Sequence, residues 1–298
     1  KPLMTPEPTP TIHVPVLSTE VMDALCIHAA GTYVDGTVGG GGHADLIASQ
    51  LNDDGLLIGL DHDVLALTRC ESRLQGKPVM LAHSNFCELP ELLQQIDVGP
   101  INGILLDLGL SSDQLEDGHR GFSFNSEGPL DLRFDPATGE PAWRLIQRMR
   151  PEHLADIIYE YGEERFSRKI ARKLCERSKR DPIKSAAEIA SIICSCYPHS
   201  NQKRIHPATR TFQALRIAVN EELKSLEIAL RRLPDLLAPD GVFAVISFHS
   251  LEDRRVKHAF REDGRLAVMT KRPIVASDAE IDVNPRSRSA KLRVAKRV

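Results

Sequence analysis

Acidic residues and glycines at particular spacings carry the most informative chemistry in this sequence. Asp35 stands directly before a run that includes Gly39, Gly40, Gly41, Gly42 and His43, and Asp61 and Asp107 each close a later apolar run. A glycine cluster permits a tight turn and lets a ligand lie against backbone with no Cβ in the way. A helix opening after such a turn offers free N–H groups to a carboxylate. Asp61 comes roughly 20 residues after the glycines, the spacing at which an acid meets ribose hydroxyls. Phe86 follows another apolar run and could pack on an adenine ring.

These features describe a nucleoside-bearing ligand of more than one kind. Gly39-x-Gly41-x-x-Ala44 satisfies the looser dinucleotide fingerprint, so a nicotinamide-dependent dehydrogenase is one reading. S-adenosyl-L-methionine is favoured by two details. Asp35 would repel a pyrophosphate and welcome a methionine ammonium, and Asp107 adds a third carboxylate near a cationic sulfonium. Any one of these acids could instead be a helix cap or turn former. The set as a whole fits that reading poorly.

Such residues need strand ends to hold them. Tyr33 to Asp35, Leu56 to Leu60, Val79 to Leu81, Ile104 to Leu106 and Val242 to Ile246 are short unbroken apolar runs, as strands buried on both faces require. Helical patterns separate several of them, including Val64 to Leu74 and Phe212 to Leu237. The alternation predicts an α/β fold with a mostly parallel, doubly wound, Rossmann-like sheet, whose ligands bind outside the carboxyl ends of the strands. Leu292, Val294 and Val298 suggest a final edge strand. Ser250-Leu251-Glu252-Asp253 has a capping-box pattern directly after the fifth strand.

Between Asp107 and Phe212 the rhythm stops, and helical signals appear without a convincing strand. Pro151 suits a first helical turn, with Leu154, Ile157, Ile158 and Tyr161 on one face. Phe166, Ile170 and Leu174 continue an apolar stripe, and Ser185 to Glu188 opens another helix. We therefore expect a methyltransferase domain over residues 12–120 and 207–298, a helical insertion over 121–206, and a disordered tail over 1–11.

The chain has 298 residues and a net charge of -3, so bulk charge predicts no polyanion partner. Its distribution does. Basic residues crowd the stretch from Arg165 to Arg180 and the last fifteen positions, and Lys203, Arg204, Arg210 and Arg216 add to them. Each run alone fits a solvated face; together they suggest a surface for nucleic acid. The six cysteines show no metal-binding spacing and read as reduced thiols, so no metal is expected. No apolar run reaches the roughly 20 residues of a membrane span. No signal peptide or Arg/Ser-rich leader is seen, so a bacterial cytoplasmic location is expected. Lys1 rather than Met opens the chain, which leaves the native N-terminus open.

Long strings of residues resemble one family, the bacterial 16S ribosomal RNA cytidine N4-methyltransferases called RsmH or MraW. They include His13 to Leu17, Asp35-Gly36-Thr37 with Gly41-Gly42-His43, and Asp107-Leu108-Gly109 with Ser111, Ser112 and Gln114. Arg120 to Phe124, Gly128 to Asp131 and Tyr161 to Arg165 follow. His206 to Ala214, Ser247 to Arg254 and Asn284-Pro285-Arg286 complete the set. Leu132 and Phe134 stand where the family often has Met. The resemblance implies a class I methyltransferase sheet interrupted by a helical substrate-recognition insertion. It implies S-adenosyl-L-methionine contacts at Gly41, Gly42, His43, Asp61, Phe86, Asp107 and Gln114, to which the residue reading adds Asp35. The implied substrate is a cytidine in the decoding region of 16S ribosomal RNA, within the small subunit.

For catalysis the expected residues are Asp107, in the Asp107-Leu108-Gly109 turn, with Ser247 and His249 nearby. DNA amino-methyltransferases place a Pro-Pro-aromatic turn at the matching strand end, and it is absent here. RNA contacts are expected at Arg120, Arg133, Arg172, Lys173, Lys179, Arg210, Arg286 and Arg288. His43 and His249 could equally be helix-start residues, and Arg120, Arg133 and Arg210 could be ion-pair partners. A non-catalytic RNA-binding assembly factor is the competing class. The sequence is silent on oligomeric state.

Overall fold

The computed structural model describes residues 15–181, 183–198 and 206–298. The expected tail over 1–11, His13, Val14, Lys203 and Arg204 lie outside the described residues. The strands are β1 (Thr32–Asp35), β2 (Leu56–Asp61), β3 (Val79–His83), β4 (Ile101–Asp107), β5 (Leu237–Ser247), β6 (Leu266–Val268) and β7 (Lys291–Arg297). They form one sheet in the order β3-β2-β1-β4-β5-β7-β6. Strands β1 to β5 pair in parallel, and β7 runs antiparallel between β5 and β6.

The last strand is therefore not the edge, contrary to expectation. The edge is β6, whose three residues are too few to leave a periodic signal. The alternation of β7 is imperfect because it is covered on both faces: Leu292 and Val294 enter one apolar cluster and Ala295 the other.

Four helices lie between or before the first strands: α1 (Ser18–Leu25), α2 (Gly42–Ala48), α3 (Val64–Leu74) and α4 (Leu89–Ile96). Between β4 and β5 come α5 (Ser112–Glu116), α6 (Ala142–Arg148), α7 (Pro151–Gly162), α8 (Ser167–Arg180), α9 (Ala186–Cys194), α10 (Thr209–Asn220) and α11 (Glu222–Arg232). After β5 come α12 (Ser250–Glu262) and α13 (Asp278–Val283).

Successive strand side chains point to opposite faces, so each unbroken apolar run feeds two cores. Tyr33, Leu57, Leu105, Ala244 and Ile246 pack against Val21 and Leu25 of α1, Ile47 of α2 and Leu74 of α3. Val34, Ile58, Ile104, Leu106, Phe243 and Val245 pack against Leu93 of α4, Leu226 and Leu230 of α11, and Val256 and Phe260 of α12. Each fully buried Ile or Leu contributes roughly 1.5–3 kcal/mol.

A third apolar core lies among the helices that follow β4. Leu154 and Ile158 of α7, Ile170 and Leu174 of α8, Ile189 and Ile193 of α9, and Phe212 and Leu215 of α10 are all buried in it. Pro151 occupies the first turn of α7, and the Ser185 hydroxyl caps α9 by accepting from Glu188 N. The pattern from Phe212 to Leu237 is not one helix. Glu221 adopts a left-handed φ of 49°, which ends α10 and starts α11 in a new direction. By its packing α10 joins the helical core, whereas α11 covers the sheet.

Candidate active site

Strand register creates the site. Asp35 pairs with Gly59 on one side and Leu105 on the other, so β1 ends two residues short of both neighbours. At ~3.3 Å per residue, the tips of β2 and β4 project roughly 6–7 Å beyond it. Asp61 and Asp107 stand on those tips, and the chain leaving β1 crosses the notch between them. Gly36 N donates to Leu105 O at 2.9 Å and Val38 N to Leu60 O at 2.9 Å, which ties the turn to both walls. A Cβ on Gly36 would meet Leu106 Cδ2 at 2.5 Å. That crowding is why glycine follows Asp35.

The carboxylates both shape the turn and charge it. Asp35 is buried, and its Oδ1 accepts from Thr37 N at 3.0 Å. Asp61 accepts from Gly39 N and from Asp63 N, each at 2.8 Å. Asp107 N donates to Thr37 Oγ1 at 2.6 Å. Buried His43 uses Nε2 on Val16 O at 2.9 Å, and its Nδ1 lies 3.5 Å from Asp107 Oδ2.

Burial pushes the Asp35 carboxyl up to about 6, against the His43 charge and the Thr37 N–H. It pushes Asp61 up to about 6 as well, against the N–H groups of Asp63 and Gly39. Burial alone would lower His43, but its bond to Asp107, the charges of Asp107 and Asp35 and the Val16 carbonyl raise it overall. Two carboxylate oxygens, Asp35 Oδ2 and Asp107 Oδ1, are buried with no hydrogen-bond partner among the described residues. Buried polar atoms are nearly always satisfied, so these two leave negative charge uncompensated beside the glycine turn.

The cleft over this floor has a volume of about 240 Å³. Gly36, Gly39, Gly40 and Gly42 line its base, Asp61 and Phe86 one side, and Asp107 to Ser111 the other, with Gln114 nearby. Phe134, Asn220, Glu222 and Ser225 reach it from the helical side, and Phe248, Asn284 and Arg286 from the C-terminal side. Half-buried Glu222 is held by Arg216 through bonds of 2.7 and 2.8 Å, and desolvation raises its carboxyl despite that partner.

An acidic, glycine-floored notch at the switch point of such a sheet suits a nucleoside cation. The profile of the MraW methylase family matches residues 10–298. The chain belongs to this family. The ribosomal RNA small subunit methyltransferase H of Rhodopirellula baltica is 47% identical, over 97% of this chain and 92% of that protein. The protein of the same name from Synechococcus elongatus is 46% identical, over 98% and 97% respectively. A solved rRNA methylase from Streptococcus thermophilus superposes with a TM-score of 0.45 at 11% identity, covering 97% of this chain and 99% of that one. As an MraW methylase the protein is an S-adenosylmethionine-dependent methyltransferase with a Rossmann-like class I sheet.

In this MraW methylase several of the expected cofactor residues converge: Gly42, His43, Asp61, Phe86, Asp107 and Gln114 all line the cleft. Gly41 does not. Its φ of 76° serves the turn, and a Cβ there would meet Cys70 Sγ at 3.0 Å, away from the ligand side. Asp35 lies behind the turn and acts through its charge. Gln114 is already engaged, with Oε1 accepting from Ser111 N at 3.1 Å and Nε2 donating to Asp63 Oδ2 at 3.1 Å.

Of the residues expected in catalysis, Ser247 and His249 do not line the cleft, whereas Asp107 does. The Ser247 hydroxyl sits against Lys291 O at 3.5 Å, between β5 and β7. His249 is the N-cap of α12, one residue earlier than the capping pattern predicts, and Glu252 closes the box. The Glu252 carboxyl completes the turn by accepting from Phe248 N at 2.9 Å. Burial alone would raise this carboxyl, but His249 and Arg216 hold it below its ordinary range.

The expected RNA contacts divide by exposure. Arg120 is buried, ion-paired to Asp63, and donates Nη2 to the carbonyls of Arg133 and Phe134 at 2.8 and 2.7 Å. Arg133 clamps Asp131 with bonds of 2.7 and 2.8 Å. Both are structural, because the 118–140 loop needs cations to hold its own acids and carbonyls. Arg286 lines the cleft and donates to Leu110 O. Lys173 bonds Ser195 Oγ at 3.0 Å, and exposed Arg210 donates to Glu163 O at 3.2 Å. Arg172, Lys179 and Arg288 are exposed, with no ion pair among the described residues.

Sequence reasoning missed Asp63, which joins Arg120, Gln114 and the start of α3. The Asp61-His62-Asp63 triplet hints at it, but an ion pair between residues 57 apart leaves no local signal. Among the described residues no His, Cys, Asp and Glu group could hold a metal, and no helix is long and apolar enough to cross a membrane.

Proposed function

We propose that this methyltransferase transfers a methyl group to N4 of a cytidine in the decoding region of 16S ribosomal RNA, within the small subunit. The observation that carries the reading is the convergence of Asp61, Asp107 and the glycine turn on one cleft, with the buried Asp35 carboxylate behind that turn. The relatives' names, and the resemblance of the Asp107-Leu108-Gly109, His206 to Ala214 and Asn284-Pro285-Arg286 strings, support ribosomal RNA and cytidine as the substrate.

The residues present fit the cofactor. Asp61 would hold the ribose hydroxyls and Phe86 the adenine ring, and the field of Asp35 would favour the ammonium end, against a turn where glycines leave room. When bound, S-adenosylmethionine supplies an electrophilic methyl group on a sulfonium, so the protein's main contribution is positioning. A cytosine amino nitrogen is a poor nucleophile because its lone pair is delocalised into the ring. An acceptor for its hydrogens localises that lone pair and takes the proton. Asp107 can do this: His43 stands beside Oδ2, and Oδ1 has no partner among the described residues. The target base must leave its stack to reach the cleft.

The helical segment over 121–206, with α10 packed onto it, would recognise the RNA. Arg172 and Lys179 on the outer face of α8 would meet phosphates, as would Arg288. The test is incubation with labelled S-adenosylmethionine and small ribosomal subunits or naked RNA, followed by mapping of the modified nucleotide. Label at a single cytidine N4 is the expected result. RNA binding without transfer would make the protein a binding factor, and label elsewhere would overturn the substrate.

A further inference from the structure

A second cleft lies apart from the cofactor floor, between α12 and the outer strand β6. It has a volume of about 290 Å³ and is lined by Lys257, Phe260, Arg261, Val268, Thr270, Lys271 and Arg293. Its four cations differ in kind. Arg293 is buried and bonds Asp253 Oδ1 at 2.7 Å, so it belongs to the framework. Lys257, Arg261 and Lys271 are exposed, and none forms an ion pair or side-chain hydrogen bond among the described residues. Arg272, adjacent and exposed, is likewise unpaired among them. The nearby acids are engaged elsewhere: Asp253 by Arg293 and Lys291, Asp263 by Arg265, and Glu262 faces His258.

On a chain of net charge -3, a concave surface with three uncompensated cations, and Arg272 beside them, is a local reversal of sign. Its position adds meaning. Glu252 lines the cofactor cleft near the start of α12, and Arg261 lies nine residues further along the same helix. At ~1.5 Å per residue that is roughly 14 Å. Strand β6 runs parallel to β5 through their shared neighbour β7, with Val268 level with Phe243, so the groove flanks the middle of β5, four residues (roughly 13 Å) from the Ser247 end beside the active cleft.

We infer that this cleft binds the phosphate backbone of the substrate RNA flanking the target nucleotide, as an anchor separate from the helical layer. Three exposed ammonium and guanidinium groups around a groove match a polyanion. The exposed Val268 and Met269 on its outer rim offer apolar contact to ribose or an unstacked base. The inference rests on the RNA substrate proposed above.

The test compares the full chain with a triple variant, Lys257→Ala, Arg261→Ala and Lys271→Ala, for binding to a naked transcript of small-subunit ribosomal RNA over a range of salt. Removing one cation from a phosphate should make the slope of log K against log salt shallower by about 0.7. The variant should therefore lose roughly two units of slope and bind at least about tenfold more weakly at low salt, with unchanged S-adenosylmethionine affinity by calorimetry. Lys271→Arg should keep the phosphate interaction that Lys271→Ala abolishes. Equal affinity and slope in the triple variant and the unaltered chain would overturn this inference and leave the function standing. Failure of the unaltered chain to bind the transcript or small subunits would instead overturn the functional reading. Normal RNA binding by the variant with weakened binding to small ribosomal subunits would assign the surface to a ribosomal protein, and so reject an RNA anchor.

Discussion

The sheet-edge cleft and the helical layer between β4 and β5 use charge in opposite ways. In the cleft, carboxylates are fixed by backbone: Asp61 holds two N–H groups of its own tip and the neighbouring turn, and Asp35 holds Thr37 N. Their positions follow from strand register, and their burial leaves negative charge waiting for a cation. In the helical layer the apolar core is closed, and cations face outward unless an acid captures them. Arg120 and Arg133 are captured; Arg172 and Lys179 are not. A charged residue near a site is thus functional or structural according to whether its own fold already satisfies it.

The largest effect should come from treating Arg120 as though it belonged to the free set. Arg120→Ala leaves Asp63 charged and buried without its partner, which costs about 3–5 kcal/mol. Denaturant unfolding should show that loss. A stable variant with weakened RNA binding alone would return Arg120 to the RNA surface.

On the cleft side, Asp61→Ala should weaken S-adenosylmethionine binding at least about tenfold, since charge-assisted bonds contribute ~1.5–3 kcal/mol each. Unaltered affinity in calorimetry would remove Asp61 from the cofactor site. Asp61→Asn can retain one anchoring bond to the turn, and so separates loss of charge from loss of shape.

Protonation tests the same acids without mutation. Burial pushes Asp35 and Asp61 up to about 6 when folded, against an ordinary value of 3.8. Between those values the unfolded chain has released protons that the folded chain keeps, so stability should fall as pH rises from about 4 to about 6. A cationic ligand favours the ionised forms, so its affinity should rise over the window. Binding at pH 5 should be about tenfold weaker than at pH 7 for each carboxylate that must ionise. Calorimetry in buffers of different ionisation enthalpy should show proton release near pH 6. A flat profile would mean that neither acid senses the ligand.

The smallest expected effect lies on the outer helical face. Arg172→Glu with Lys179→Glu should flatten the salt dependence of RNA binding by roughly 1.4 units and leave cofactor affinity alone. No change in slope would mark that face as solvated and nothing more.

Much of this molecule can be read directly from its residue order. Buried parallel strands need unbroken apolar runs, and such runs end at Asp35, Asp61 and Asp107, so the sheet, the cleft and its charge are properties of local pattern. Helix starts at Pro151 and Ser185 are equally local, because a cap bonds within its own first turn. Other outcomes needed the folded chain. The place of β7 inside the sheet depends on a three-residue partner too short to announce itself. The break at Glu221 is one backbone angle. The surroundings of Arg120 and Ser247 came from partners that folding supplied, Asp63 from 57 residues away, and Lys291 across a strand pair. Hydrophobic periodicity and capping act over a few residues and are written in sequence. Which cation meets which anion is decided by distance in space, and that is set only when the cores have closed.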